Sequence, residues 1–183
     1  ETDHPLVGFD EIVISEEQNT IGRLVAELIA DGSTIETGIG QLPTMVLKAL
    51  HDKNDLGVHS GMVSDAMADL IDCGVINGRQ KNVDTGKVVA GVALGSPWLH
   101  AFIRDREDIF FRPVSYTHNP DIIKQNDNFI AINSVIEIDL FGQINGETIG
   151  GKQVGGPGGL ADFMRGAKLA KNGRSIIVLP ATV

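Results

Sequence analysis

The sequence predicts an α/β protein with an open, mostly parallel sheet and crossover helices. Three observations carry this. Stretches of strand type alternate along the chain with stretches of helical period. The run Val88-Val89-Ala90-Gly91-Val92-Ala93-Leu94 is continuously apolar, as expected of a strand covered on both faces. Glycine is enriched, 22 of 183 residues, and it gathers after strand-like segments, where such sheets bind ligands.

The elements follow in order. Ser15-Glu16-Glu17-Gln18 has the form of a capping box. Ile21, Leu24, Val25, Leu28 and Ile29 then make one apolar helical face, stopped by Asp31-Gly32. Ser33 to Thr37 suits a strand, and Pro43 suits the first turn of a helix carrying Met45, Val46, Leu47 and Leu50. A short strand over Leu56 to His59 precedes a helix marked by Val63, Met67, Leu70 and Ile71 and ended by Gly74. After Val88 to Leu94 come a helix over Pro97 to Arg106, a strand over Ile109 to Phe111 and a helix or turn start at Asn119-Pro120. Phe129 to Ser134 and Val135 to Ile144 are β-rich, broken near Gly142. A glycine loop, a helix over Leu160 to Ala170, a turn at Asn172-Gly173 and a buried strand over Ser175 to Leu179 complete the order. A sheet-core strand so near the last residue, and an equally abrupt start, predict a fragment of a larger protein.

Composition removes several function classes. A net charge of −9 argues against a broad nucleic-acid or anionic-membrane surface. No apolar run reaches the roughly 18–20 residues that span a bilayer. Residues 1–10 lack the basic start and apolar core of a secretory signal. Cys73 is the single cysteine, which excludes an internal disulfide and a cysteine-rich metal site and suits a reducing, cytoplasmic compartment. Its expected role is that of a small buried hydrophobe.

Four constellations carry chemistry. Thr37-Gly38-Ile39-Gly40-Gln41-Leu42-Pro43 ends a strand and starts a helix; its amides suit an anionic oxygen, or it is a bare tight turn. Gly155-Gly156-Pro157-Gly158-Gly159, also before a helix, is a backbone cradle for a thioester oxygen or a phosphate, or a flexible surface loop. On the strand Ala131 to Leu140, the period of two puts Glu137 and Asp139 on one face, as paired structural acids or as a reactive pair near Asn133 and Ser134. His59, Ser60, Ser64 and Asp65 suggest a nucleophile-and-base cluster, though sequence proximity is not triad geometry. No zinc spacing, Walker loop or nicotinamide-type GxGxxG run is present.

Together, IETGIGQLP, LGVHSGMVSDAMADL, FRPVSYTHNP, FIAINSVIEIDLFGQINGE, GGPGGLADFMRGA and NGRSIIVLPAT resemble the acetyl-CoA hydrolase/CoA-transferase family, which includes 4-hydroxybutyrate and acetate CoA-transferases. The resemblance runs from about Asp31 onward and implies a CoA-transferase (NagB/RpiA-like) domain. Residues 1–183 would then be one α/β domain, the C-terminal half of the catalytic unit, without the N-terminal domain and final segment. It implies transfer of coenzyme A between short-chain acyl-CoA and carboxylic acids such as acetate, butyrate or 4-hydroxybutyrate. Coenzyme A and acyl-CoA enter as substrates, with no permanently bound cofactor and no metal. The implied partners are the carboxylate substrates, the missing N-terminal domain of the same enzyme and further copies in a homo-oligomer, with neither nucleic acid nor membrane.

In the family chemistry a glutamate attacks the thioester, and the departing thiolate returns to form a covalent enzyme–CoA thioester. The resemblance assigns the oxyanion-binding amides to Gly38, Gly40, Gly158 and Gly159, all facing one bound thioester. It puts the nucleophilic glutamate at a position this sequence fills with Gly61. A glycine carries no carboxylate. Three routes follow: water attacks in the vacated space, as in an acyl-CoA hydrolase; another carboxylate acts, with Glu137 the best candidate; or the domain binds CoA without turnover.

Overall fold

The computed structural model describes residues 15–181. Its first part comprises α1 (Glu16–Ala26), β1 (Thr34–Thr37), α2 (Gln41–Lys48), β2 (Gly57–Val58), β3 (Met62–Val63), α3 (Asp65–Asp72), β4 (Val88–Ala90), β5 (Val92–Ala93) and α4 (Pro97–Ile103). Then follow β6 (Ile109–Phe111), α5 (Val114–Thr117), α6 (Pro120–Ile123), β7 (Phe129–Ser134), β8 (Glu137–Ile138), β9 (Ile144–Asn145), β10 (Thr148–Ile149), β11 (Lys152–Gln153), α7 (Leu160–Leu169) and β12 (Arg174–Val178).

The main sheet has the order β12-β7-β1-β2, and every pairing in it is parallel. A parallel bridge from His59 to Val89 continues it toward β4, which pairs in parallel with β6. This is the open, mostly parallel sheet that the alternating pattern predicts. Glu36 pairs with Ala131, and Ala131 with Ser175, so the central strands keep one register across the sheet.

Both faces of the sheet are covered. On one, Ile35, Val58, Ile130 and Ile132 join the apolar faces of α1, α2 and α3 in the larger core. On the other, Phe129 and Ala131 pack with Ile123 of α6 and with Phe163 and Ala167 of α7. Both capping-box hydrogen bonds of Ser15 and Gln18 form at the start of α1.

Four local expectations are corrected. The run Val88 to Leu94 is two strands, not one, because Gly91 and Val92 both donate their amides to the Gly61 carbonyl and turn the chain from β6 toward β3. Val92 is accordingly exposed. The expected strand Ala131 to Leu140 ends at Ser134; Glu137 and Ile138 belong to a separate antiparallel hairpin with β9. β12 is an edge strand, with only Val178 buried. Cys73 is exposed, because it caps α3 beyond the last buried position, Ile71.

Candidate functional site

The site is built at the carboxyl ends of the strands, where parallel sheets leave backbone groups free for a ligand. After β1 the chain turns through Gly38-Ile39-Gly40 into α2. The Gly38 amide donates to the Ile132 carbonyl at 2.9 Å. A Cβ on Gly38 would lie 2.5 Å from Asn133 Oδ1, so a side chain there has no room. Gly40 caps α2 at φ +113°, a conformation reserved for glycine, and no side chain caps the helix. The first-turn amides of α2 therefore keep the partial positive charge of an open helix N-terminus.

These residues line a cavity of about 700 Å³. Its walls are mostly apolar, from Ile39, Met45, Leu47, Met62 and Leu94, with Thr37, Thr44, Ser64 and Ser96 supplying hydroxyls. Lys48 and Asp65 are its charged lining residues. Asp65 is already engaged: its Oδ2 accepts the Ser96 amide at 2.9 Å, which ties α3 to the start of α4.

Gly158 and Gly159 are not among the residues lining this cavity. The expectation of one shared cavity is therefore not met, since α2 and α7 start on opposite faces of the sheet. Gly158 is exposed at φ +53° with open space around it. Gly159 presses on the imidazole of His118: a Cβ there would lie 2.5 Å from both Nε2 and Cδ2. What joins the two turns is the stretch Ser60-Gly61-Met62. Met62 lines the cavity with Gly38 and Gly40, whereas a Cβ on Gly61 would point at His118, 3.1 Å from Cε1 and 3.2 Å from Nε2. Successive residues of one extended segment face opposite ways, and each turn flanks one side of it.

Gly61 is held firmly, because its carbonyl accepts the Gly91 amide at 3.0 Å and the Val92 amide at 3.2 Å. Ser60, fully buried, aims its hydroxyl at the Thr37 carbonyl and is not presented as a nucleophile. His59 is also buried. Its Nε2 lies 3.0 Å from the Thr117 carbonyl, and its Nδ1 has no hydrogen-bond partner among the described residues. Burial, reinforced by the nearby Lys81 ammonium, lowers its pKa to about 4, so the ring is neutral and donates from Nε2. Lys81 is brought down to about 8 by burial; its ammonium donates to the carbonyls of Val58 and Lys87. Ser64 and Asp65 are directed to the cavity and α4, so no Ser-His-Asp arrangement forms.

The alternative carboxylate, Glu137, stands exposed in its hairpin and accepts from Asn145 Nδ2 at 3.0 Å. Asp139 organises the same hairpin by accepting the amides of Gln143 and Phe141, which hold its carboxyl below the usual range. The carboxyl buried under the site is a different one. Glu36, 3% exposed, accepts from Asn133 Nδ2 at 2.9 Å. Burial pushes its pKa up to about 8, so it is protonated at neutral pH. A strand period of two groups Glu36 with Thr34 on a polar face; the missed signal was the last helix, which needs that face to cover. His118 had no local signal, because its neighbours Gly61 and Gly159 are distant in sequence. Among the described residues, no group of three or more His, Cys, Asp or Glu side chains is placed to hold a metal ion.

Residues 95–183 match the acetyl-CoA hydrolase/transferase C-terminal domain. The 4-hydroxybutyrate coenzyme A transferase of Clostridium kluyveri is 41% identical over 182 residues, which are 100% of this chain and 42% of that protein. Among solved structures, RipA from Yersinia pestis superposes with a TM-score of 0.94 at 39% identity, over 98% of this chain and 41% of that one. The 4-hydroxybutyrate CoA-transferase of Porphyromonas gingivalis gives 0.88 at 38% identity, over 100% of this chain and 43% of its own. This chain thus spans less than half the length of the proteins it matches, but within that span the sheet, both glycine turns and the segment through Gly61 lie inside the aligned regions. Residues 95–183 thus resemble the acetyl-CoA hydrolase/transferase C-terminal domain, and the whole chain is similar to part of these CoA-transferases.

Proposed function

We propose that the protein acts on short-chain acyl-CoA, moving coenzyme A between a thioester and a carboxylic acid such as acetate, butyrate or 4-hydroxybutyrate. The observation that carries this reading is the pair of glycine turns flanking one fixed segment, Ser60-Gly61-Met62. A thioester carbonyl on the cavity side of that segment lies beside the uncapped N-terminus of α2, whose first-turn amides would stabilise the oxyanion that forms on attack. The adjoining apolar cavity suits a short acyl chain, with Lys48 at its wall as a partner for an anionic group. Coenzyme A and acyl-CoA are substrates. The relatives' greater length supports a further domain of the same polypeptide as a partner. The exposed Leu140 and Phe141 at the hairpin tip, 104% and 91% accessible, are suited to such a contact, within a homo-oligomer. Among the described residues no helix is long and apolar enough to cross a membrane; we assign the protein to the cytoplasm.

Gly61 favours a second reading. Without a carboxylate at this position, the acceptor must attack the thioester directly. The acceptor is either the second acid, through a mixed anhydride of the two substrates, or water, which makes the reaction a hydrolysis. The experiment is to incubate the intact protein with an acyl-CoA and isotopically labelled acid. Label entering the thioester pool supports transfer; net loss of thioester without label entry supports hydrolysis; binding with neither leaves a CoA-binding module.

A further inference from the structure

We infer that Glu36 and Asn133 are positioning residues for the proposed site: the buried Glu36 carboxyl aims the Asn133 amide, and the carboxyl end of β7 then sets the turn that opens α2. This rests on the acyl-CoA reading above. Three consecutive residues of β7 hold the turn. The Ile132 carbonyl accepts the Gly38 amide at 2.9 Å. Asn133 Oδ1 fills the place that a Cβ on Gly38 would need. Ser134 Oγ donates to the Ile39 carbonyl at 3.5 Å. The parallel register puts Glu36 beside Ala131, so Glu36 and Asn133 share one face of the sheet, both buried. Asn133 Nδ2 donates to Glu36 Oε2 at 2.9 Å, which leaves Oδ1 turned onto Gly38.

The turn matters to the chemistry because of what it presents. Gly38, Ile39, Gly40 and Gln41 line the cavity, and Gly40 starts α2 with no side-chain cap. The direction of the free amides at that start follows the path of the chain through Gly38 and Ile39. An apolar residue at position 36 would leave the buried Nδ2 without an acceptor, free the amide to rotate and shift the turn against the thioester carbonyl. A displacement of about 1 Å among such donors costs about 100-fold in rate.

Glu36 adds a second control, through charge. Burial raises its pKa to about 8, and the hydrogen bonds from Asn133 and the Ile132 backbone oppose this. No charged group shifts it: neither Asp121 of α6 nor Asp162, Arg165 and Lys168 of α7, the helices that cover this face, nor the Lys81 ammonium that acts on His59. His59, the cross-strand neighbour at the end of β2, stays neutral. The Glu36 carboxyl is therefore uncharged at neutral pH. Above about pH 8 it is an anion two residues from Gly38, in surroundings of low dielectric, and it opposes the negative charge forming on the thioester oxygen. The rate should fall as that proton leaves.

The test uses the intact protein with butyryl-CoA and labelled butyrate, and counts turnover as label entry into the thioester plus net thioester loss. At neutral pH, Glu36→Leu and Asn133→Leu should each lower kcat by about 100-fold, with KM within about threefold of the parent. Glu36→Gln restores an oxygen acceptor for Nδ2 and should return kcat to within about threefold of the parent. Across the pH range in which circular dichroism shows both proteins folded, the parent should lose rate with an apparent pKa of about 8. Glu36→Gln should lack that alkaline limb, while Lys81 is present in both and cancels in the comparison. A folded Glu36→Leu protein that keeps kcat within about threefold overturns the assignment. So does a Glu36→Gln protein that keeps the alkaline limb, a comparison that stands even where Glu36→Leu does not fold. A Glu36→Gln rate as low as that of Glu36→Leu also overturns it, because the carboxyl would then be a reacting group. Each of these results leaves the acyl-CoA reading standing, whereas a parent that turns over no butyryl-CoA removes both.

Discussion

Replacing Glu36 by glutamine isolates the energetic consequence of a protonated carboxyl beneath the site. Glu36 is 3% exposed, and its side-chain hydrogen-bond partner is the neutral amide of Asn133, not a cation. Burial raises its pKa from 4.5 to about 8. Between those values the native protein holds a proton that the unfolded chain releases. Stability from this group is therefore complete below pH 4.5 and is lost as the pH rises toward 8. At about 1.4 kcal/mol for each tenfold difference in proton affinity, the loss across the window is about 5 kcal/mol. Glutamine keeps the shape and an oxygen for Asn133 but does not ionise. His59 and Lys81 titrate in both proteins and cancel in the difference. Urea denaturation of parent and Glu36→Gln at a series of pH values from 4.5 to 8 checks this. The parent should lose stability relative to the variant by about 5 kcal/mol over the series. Parallel stability profiles would refute the argument, because they would mean that the carboxyl ionises as freely folded as unfolded.

The other predictions concern the turns and the second core. Gly38→Ala forces a methyl against Asn133 Oδ1 and should cost about 1–3 kcal/mol in denaturant unfolding; an unchanged midpoint would show that the turn has slack. Gly159→Ala forces a methyl against the rings of His118 and Phe163 and should also cost about 1–3 kcal/mol in denaturant unfolding, while an unchanged midpoint would show that the His118 ring can move aside. Phe163→Ala, at 2% exposure in the core under α7, should cost about 3–5 kcal/mol, read by the same unfolding assay. Glu137→Ala removes one exposed hydrogen bond to Asn145 and should change stability by under about 0.5 kcal/mol and leave turnover intact; loss of turnover would restore Glu137 as the reacting carboxylate.

Much of the sheet was legible because its determinants are local. The capping box at Ser15, the glycine after β1 and the apolar face of α3 each act within a few residues. The errors arose where a distant partner decides. Val88 to Leu94 is uniformly apolar, yet the carbonyl of Gly61 draws Gly91 and Val92 out of line and divides the strand. Ile136, Ile138 and Leu140 alternate as a core strand would, but among the described residues no element covers them, and they are exposed in a hairpin. Glu36 shows the converse: a charged residue in a short strand suggests a solvated face, and α7 with Phe129 and Ala131 makes that face interior. At the site, the glycines marked the backbone turns, because Gly38 and Gly159 each abut a side chain that excludes any Cβ. Which side chains those are, Asn133 and His118, depends on strand order and helix docking, and no spacing along the chain encodes it.

With Gly61 in place of a carboxylate, the acceptor attacks the thioester with no enzyme carboxylate in between. Intact-mass measurement of the protein, quenched during steady turnover of butyryl-CoA, tests this directly. The predicted result is an unmodified mass while the thioester is being consumed. A mass increase equal to coenzyme A, mapped to any glutamate of the chain, would contradict it.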